Sequence, residues 1–193
     1  MGGDYMRETE YKFLVTKEKF YEIMTQIKGQ YPDACCDKRI QINYYYDTFD
    51  GYLLSNHTTL RVRQTEDSIA LELKESLPAV KDFSTSKETT KKISGLLPEI
   101  TLKDGRFAWI PFQLQGNLVT KRVSIKPCQS LSIDFDINYY WGYCDYEIEM
   151  EFNKDALKAT TVLINNLGLM PLRNKTGGKA IRFFKLKSNL FKD

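Results

Sequence analysis

Charged and apolar side chains alternate with a period of two along several separate segments of this chain. The first is RETEYKFL at residues 7–14, in which Glu8, Glu10 and Lys12 alternate with uncharged side chains. Successive side chains of a β-strand point to opposite faces, so this segment predicts a strand with one charged face. Charged faces of antiparallel strands usually meet water, and solvation is the simplest interpretation of this segment on its own.

The same alternation predicts strands in most of the remaining chain. They lie in RIQINYYYDT, TTLRVRQT, SIALELKES, TKRVSIKP, SLSIDFDI and YYWGYCDYEIEMEF, with a short strand in SKETTKK. Residues 96–117 show no clear period, and Pro111 and Gly116 are expected to interrupt regular structure there. The pattern as a whole predicts a mainly β protein.

Apolar residues at helical spacing predict three helices. The first follows Thr16, a plausible N-cap, and the second lies in NKDALKATTVLINNLGL, with Asn153 as its cap and Gly168 at its end. A short basic helix follows Gly177 and Gly178. Because EYKF and EMEF are each followed by a helix, we also consider an internal duplication of a β-α-β-β-β unit.

Charged side chains of the predicted strands lie opposite apolar ones. The charged set beyond the first strand comprises Arg61, Arg63, Glu72, Lys74, Lys87, Lys91, Arg122, Asp134, Asp136, Asp145, Glu147, Glu149 and Glu151. The acids at alternate positions of 145–151 would repel one another unless cations lie beside them. Those cations are basic side chains of other strands or a divalent metal, since carboxylate oxygens suit Mg²⁺ or Mn²⁺. If the strands close into a barrel, its lumen suits a metal-bound polyphosphate.

Composition excludes several other classes of protein. The chain has 193 residues, 42% hydrophobic and 27% charged, which is typical of a globular protein, and we expect one domain over residues 1–193. No apolar run is long enough to span a membrane, and the first residues do not resemble a signal peptide, so we expect a cytoplasmic protein. A net charge of +3 gives no strong attraction to nucleic acid or to membranes. Four cysteines without C-x-x-C spacing and a single histidine, His57, provide no zinc ligand set.

Short motifs in a fixed order carry a family resemblance. They are Glu8-x-Glu10-x-Lys12, NYYYDT at 43–48, LRVR at 60–63, LELK at 71–74, the acid of SIDFD, YEIEMEF at 146–152 and GGKAIRF at 177–183. Together they resemble the CYTH superfamily, also called triphosphate tunnel metalloenzymes, and in particular the CYTH-domain proteins of Gram-positive bacteria. The resemblance implies an α+β, mainly β fold: an eight-stranded antiparallel tunnel-like barrel with helices packed outside.

The resemblance also implies a set of site residues. The metal-binding acids would be Glu8, Glu10, Glu147 and Glu149. The phosphate-binding cations would be Lys12, Arg61, Arg63, Lys74, Arg122, Lys179 and Arg182. Lys12, Asp134 and Glu149 would take part in catalysis. SKETTKK offers lysines where many members have an Arg-x-Glu-type pair, so one end of the site is not defined by the resemblance.

The implied activity is a metal-dependent hydrolase that cleaves the terminal phosphoanhydride of a triphosphate. Inorganic tripolyphosphate, thiamine triphosphate and nucleoside triphosphates are the candidate substrates, and Mg²⁺ or Mn²⁺ is the implied cofactor. Two alternatives stay open: a class IV-type adenylate cyclase acting on ATP, which shares the metal site, and a non-catalytic polyphosphate- or nucleotide-binding module. We expect no nucleic-acid or membrane partner, and either a monomer or a homodimer.

Overall fold

The computed structural model describes residues 5–78, 83–172 and 177–191. The strands are β1 (Tyr5–Val15), β2 (Cys35–Asp47), β3 (Thr58–Gln64), β4 (Ile69–Ser76), β5 (Ser84–Lys92), β6 (Glu99–Thr101), β7 (Pro111–Cys128), β8 (Leu131–Tyr140) and β9 (Tyr143–Phe152). The helices are α1 (Lys17–Gln30), α2 (Tyr52–Ser55), α3 (Leu157–Asn166) and α4 (Lys179–Leu190). No helix in these ranges combines the length and apolar character needed to cross a membrane.

Within the described residues, eight strands close into an antiparallel barrel. Their order is β2-β3-β4-β5-β1-β9-β8-β7, and β7 pairs again with β2 to complete the circle. The short strand β6 pairs with the first residues of β7 and lies outside the circle. The barrel predicted from the sequence resemblance is therefore confirmed.

The apolar faces of the strands point outward, and two clusters cover them. On one side, Phe13 of β1 and Ile148 of β9 pack with Phe20 and Ile23 of α1 and with residues of α3. On the other side, the outer faces of β3 and β4 pack under the segment between β5 and β7, where Phe107 is buried. Because side chains alternate along a strand, the charged faces are turned into the lumen.

Helix ends follow the sequence signals in part. The Thr16 hydroxyl accepts a hydrogen bond from the backbone N–H of Lys19 at 3.3 Å, which confirms the predicted cap of α1. Gly168 adopts a φ of 63° directly after α3, as a helix-ending glycine does. Asn153, in contrast, precedes a short 3₁₀ turn and makes no side-chain cap, so that prediction is wrong. Its backbone carbonyl instead accepts the N–H of Ala156 at 2.9 Å.

Strand β7 runs through the segment that the sequence pattern left undefined. It begins at Pro111 and continues past Gly116, where the register against β2 shifts. The φ of Gly116 is 137°, and a Cβ atom there would lie 2.9 Å from both Phe183 and Trp141. Gly116 is therefore a bulge inside a continuous strand, not the break expected from the sequence.

The two segments behind the duplication hypothesis lie side by side. β1 and β9 are antiparallel neighbours, with Lys12 opposite Glu149, and each is followed by a helix. In the described residues, the strands that follow α1 have no counterpart after α3. The structural likeness is thus limited to these strand–helix pairs.

Helix α4 closes one end of the barrel. Tyr45, Leu118 and Tyr140 follow the inward alternation of β2, β7 and β8, and they are buried in one cluster with Phe183 of α4. The predicted short basic helix is confirmed, and Phe183 docks it by its apolar side. We call these four side chains the apolar plug.

Candidate functional site

A cavity of about 340 Å³ occupies the lumen beside the apolar plug. All but two of the site residues predicted from the sequence line it. They are Glu8, Glu10, Lys12, Arg61, Arg63, Lys74, Arg122, Asp134, Glu149 and Lys179. Acids and bases far apart in the chain therefore meet in one enclosed space.

Two lysines are held between acids of β1, β5 and β9. Lys74 Nζ lies 2.8 Å from Glu8 Oε2, 3.4 Å from Glu10 Oε1 and 2.7 Å from Glu88 Oε1. Lys12 Nζ lies 2.9 Å from Glu10 Oε1 and 3.2 Å from Glu149 Oε1. Burial alone would lower the pKa of Lys12, but Glu10 and Glu149 raise it well above its usual range. Both lysines therefore stay charged at neutral pH.

The two arginines of β3, Arg61 and Arg63, differ in their contacts with carboxylates. Arg61 Nε donates to Glu72 Oε2 at 2.7 Å, and this carboxylate helps to raise the pKa of Arg61 against the effect of burial. Arg63 has a weaker set of partners, with Nε donating to Asn43 Oδ1 at 3.2 Å and Nη1 lying 3.5 Å from Glu72. Burial and the neighbouring charge of Arg61 lower the pKa of Arg63 to about 10. Of the two arginines, Arg63 is therefore the one whose positive charge its surroundings support less.

Arg122 of β7 connects three acids of β8 and β9. Its Nε donates to Asp136 at 2.7 Å, its Nη2 contacts Glu149 at 2.7 Å, and its Nη1 contacts Asp134. These carboxylates raise the pKa of Arg122 well above its usual range although burial opposes this. The guanidinium group thereby fixes the acids on one wall of the lumen.

Glu147 and Arg182 are not among the residues that line the cavity. Arg182 donates to Asp145 at 2.8 Å and to Glu147 at 3.0 Å, and Lys179 contacts Glu147 at 2.6 Å. Burial would raise the pKa of Glu147, but Lys179 and Arg182 lower it to about 2. The structure thus places the two residues in a buried ion pair that ties α4 to β9.

Three acids at the opposite part of the cavity have raised pKa values. Burial raises the pKa of Glu8 and Asp134, because Lys74 and Arg122 offset its effect only in part. Partial burial together with Glu8 and Glu10 raises the pKa of Glu151 to about 7. Burial and neighbouring carboxylates therefore both make ionisation of these acids less favourable.

Sequence reasoning missed one charged residue of the cavity. Glu88 of β5 is buried, and its carboxylate contacts Lys74 while lying 3.8 Å from Arg61. Lys74 and Arg61 lower the pKa of Glu88 to about 2 against the effect of burial. The expectation that Lys87 and Lys91 carry the inward face of this strand is wrong, because Glu88 alternates with them and Lys91 is exposed. The pairing of Glu88 opposite Lys74 is the signal that identifies the inward face.

Uncharged lumen residues were also missed. Gln41, Asn43 and Tyr45 of β2 line the cavity, together with Ser86 of β5 and Thr120 of β7. They were missed because the sequence analysis considered only the charged side chains of each strand. They follow the same alternation as those charged residues. They give the cavity neutral hydrogen-bonding groups between its acids and bases.

Carboxylate oxygens of Asp136, Glu147 and Glu149 lie within 4.8 Å of one another, as the ligands of a metal ion do. Lys179 already contacts all three residues, at 2.8, 2.6 and 2.9 Å, and Arg122 and Arg182 contact them too, so three cations of the protein lie against these three acids. A second group of acids lies on β1 and β9, where Glu10 is opposite Glu151 and where Glu8 and Glu10 both contact Lys74. Among the described residues, Asp136, Glu147 and Glu149 are the group that comes close enough to share a cation as it stands, so a cation at the second group would require its carboxylates to move.

The sequence model of the CYTH domain matches residues 6–171. The chain belongs to the CYTH family. A comparison with curated proteins gives no match. The CYTH match covers all eight barrel strands except the first residue of β1, and it ends before α4, so it does not include Lys179.

Solved structures with the same CYTH architecture include proteins linked to two reactions. A candidate adenylate cyclase from Bacillus halodurans is 26% identical, with 95% of this chain and 100% of that chain covered and a TM-score of 0.70. HpAC1 from Hippeastrum, an adenylyl cyclase candidate with a dominant triphosphatase activity, is 17% identical over 92% of this chain and 95% of its own, with a TM-score of 0.69. The capping-enzyme triphosphatase of Mimivirus is 14% identical over 85% and 89%, with a TM-score of 0.54. The last two likenesses concern the fold alone.

Proposed function

We propose that this protein is a metal-dependent hydrolase that cleaves the terminal phosphoanhydride of a triphosphate inside the barrel. The observation that supports this most is the division of charge within one cavity. Arg61 and Arg63 lie on the inward face of β3, while Glu8, Glu10 and Glu151 lie on the inward faces of β1 and β9. A triphosphate with a bound divalent cation supplies an anion to the first region and a cation to the second.

The basic part of the cavity binds the phosphate oxygens. Arg61, Arg63 and Arg122 present planar guanidinium groups, which suit oxygen pairs of phosphate. Lys12 and Lys74 add point charges from the opposite wall, each now neutralised by glutamates. An entering phosphate group would compete for these cations and would thereby free Glu8 and Glu10 to hold a divalent metal.

The acidic part of the cavity holds the cation. We assign Glu8, Glu10 and Glu149 as its ligands, with Glu151 added because it lies opposite Glu10 and lines the same space. Mg²⁺ or Mn²⁺ suits these carboxylate oxygens, and such an ion neutralises phosphate oxygens and polarises the phosphorus centre. Glu147, which the resemblance placed among the ligands, instead positions Lys179 and Arg182.

Asp134 is the group that we assign to the attacking water. Burial raises its pKa and so makes it a better proton acceptor, and Arg122 fixes its orientation. Its carboxylate would accept a proton from the water as the new P–O bond forms, while the bond from the terminal phosphorus to the bridging oxygen breaks and the remaining diphosphate part of the substrate leaves with that oxygen and its electron pair. Arg122 and Lys12 would balance the charge that develops on the phosphate oxygens.

Phosphate release from several substrates tests the proposal. Tripolyphosphate, thiamine triphosphate and ATP are each incubated with Mg²⁺, with Mn²⁺ or with chelator, and cyclic nucleotide is measured in parallel. We expect metal-dependent release, fastest with tripolyphosphate. Equal release in chelator would contradict metal-dependent hydrolysis. Cyclic AMP as the main product would indicate a cyclase, and tight binding without either product would indicate a binding module.

A further inference from the structure

The Tyr45 hydroxyl is a buried polar group with no hydrogen-bond partner among the described residues. Its ring is completely buried, and the residue lines the charged cavity. A buried hydroxyl without a partner destabilises a folded protein, and phenylalanine would fill the same space without that cost. A hydroxyl in this position therefore needs an explanation beyond packing.

Tyr45 lies at the boundary between the apolar plug and the basic part of the cavity. Its ring centroid is 4.9 Å from that of Phe183 and 5.9 Å from that of Phe184, so α4 holds the ring in place. Across the β2–β3 pair it lies directly opposite Arg61, and the two side chains share the inward face. Tyr45 thus lies where the apolar plug meets the wall that carries Arg61.

The charges around Tyr45 favour an anionic partner. Arg61, Lys179 and Arg63 act on the phenol with positive charge, but burial dominates and raises its pKa. The phenol therefore keeps its proton at neutral pH and is a hydrogen-bond donor surrounded by cations. An anion drawn in by these cations is the acceptor that this site lacks.

We propose that the Tyr45 hydroxyl donates a hydrogen bond to the phosphate group that enters deepest into the lumen, and so positions the ligand against the apolar plug. This inference rests on the proposed function, because it requires a phosphate ligand in the cavity. The Tyr45 hydroxyl would thus be a neutral hydrogen-bond donor to the phosphate, in addition to the charged groups on the walls of the cavity.

Tyr46 provides a matched control on the same strand. Its side chain points to the outer face, and its hydroxyl donates to the backbone carbonyl of Leu97 at 2.5 Å. Tyr45→Phe and Tyr46→Phe therefore each remove one buried oxygen, but only the second removes a bond present in the ligand-free protein. Thermal unfolding without ligand should lower the melting temperature of Tyr46→Phe and leave that of Tyr45→Phe equal to wild type or higher.

Titration calorimetry with inorganic tripolyphosphate, in chelator to prevent turnover, tests ligand binding. We expect Tyr45→Phe to bind about 10- to 100-fold more weakly than wild type, as for the loss of a hydrogen bond to a charged group. Tyr46→Phe should bind as wild type does. With Mg²⁺, the KM for tripolyphosphate should be higher in Tyr45→Phe than in wild type.

Wild-type affinity in Tyr45→Phe would overturn the inference, whatever its melting temperature, and would leave the proposed function standing. A wild-type protein that binds no tripolyphosphate, with or without Mg²⁺, would instead refute the proposed function and remove the basis of the inference. The two failures are therefore distinguished by the wild-type titration.

Discussion

The ammonium nitrogen of Lys74 lies 2.7 Å from a carboxylate oxygen of Glu88, inside the wall of the cavity. The two residues face each other across β4 and β5. The same carboxylate lies 3.8 Å from Arg61, so it stands between two cations that we assign to phosphate binding. In the ligand-free protein, Glu88 thus reduces the repulsion between Lys74 and Arg61.

Removing the charge of Glu88 tests this relationship. In Glu88→Gln, Lys74 and Arg61 lose a buried anion, and we expect the free energy of unfolding to fall by about 2 kcal/mol or more. Urea denaturation measures this, with the exposed Glu66→Gln as the control. Added tripolyphosphate should restore part of the stability, because phosphate replaces the lost charge. A Glu88→Gln protein as stable as Glu66→Gln would contradict this account of the pair.

Arg182 is expected to hold α4 on the barrel. Its guanidinium group contacts both Asp145 and Glu147, and a lysine cannot reproduce both contacts. We expect Arg182→Lys to lower the free energy of unfolding by about 2–3 kcal/mol and to reduce phosphate release, since Lys179 is carried by the same helix. Lys185→Arg, exposed on α4, is the control. Unchanged stability in Arg182→Lys would show that the ion pair does not anchor the helix.

Glu151 gives the ligand-free protein a pH dependence. Its pKa is raised from 4.5 to about 7 by partial burial and by Glu8 and Glu10. A raised pKa in the folded state means that the stability due to protonation is complete below about pH 4.5 and is lost as the pH rises through 7. The melting temperature, measured in chelator from pH 5 to 8, should therefore fall more in wild type than in Glu151→Gln. Equal slopes for the two proteins would contradict the raised pKa.

The bulge at Gly116 makes room for α4. A side chain there would lie 2.9 Å from Phe183 and Trp141, in a backbone conformation that favours glycine. We expect Gly116→Ala to lower the free energy of unfolding by about 1–3 kcal/mol. Gly95→Ala is the matched control, because no heavy atom lies within 4 Å of the added Cβ and its φ is ordinary. Equal stability of the two variants would contradict the close packing of α4 on β7.

Strand periodicity made most of the site predictable. The alternation of side chains places Glu8, Arg61 and Asp134 each on the charged face of its own strand. Once the strands close into a barrel, these faces meet in the lumen. The alternation within a strand is the same in an open sheet and in a closed barrel. The prediction of closure therefore rested on the family resemblance. The charged face of each strand was therefore predictable from its own sequence, whereas the existence of a lumen was not.

The error over the inward face of β5 arose because the local pattern there is ambiguous. SKETTKK has lysines on both sides of Glu88, and only the register against β4 identifies the inward face. Glu147 follows the same alternation as Glu149, and its contacts with Lys179 and Arg182 of α4 could not be predicted from that alternation. The position of a helix on a barrel depends on long-range packing, which the sequence near Glu147 does not contain.

The most direct test of the central claim is metal-dependent phosphate release by the double variant Glu8→Gln, Glu10→Gln. Glu18→Gln, Glu22→Gln on the exposed face of α1 is the control, with the same change in net charge. With Mg²⁺ and tripolyphosphate we predict a loss of at least about 100-fold in the double variant of β1, because the cation loses two ligands, and wild-type rates in the control. A β1 double variant that retains wild-type activity, or equal wild-type release in chelator, would contradict a metal-dependent reaction in this lumen.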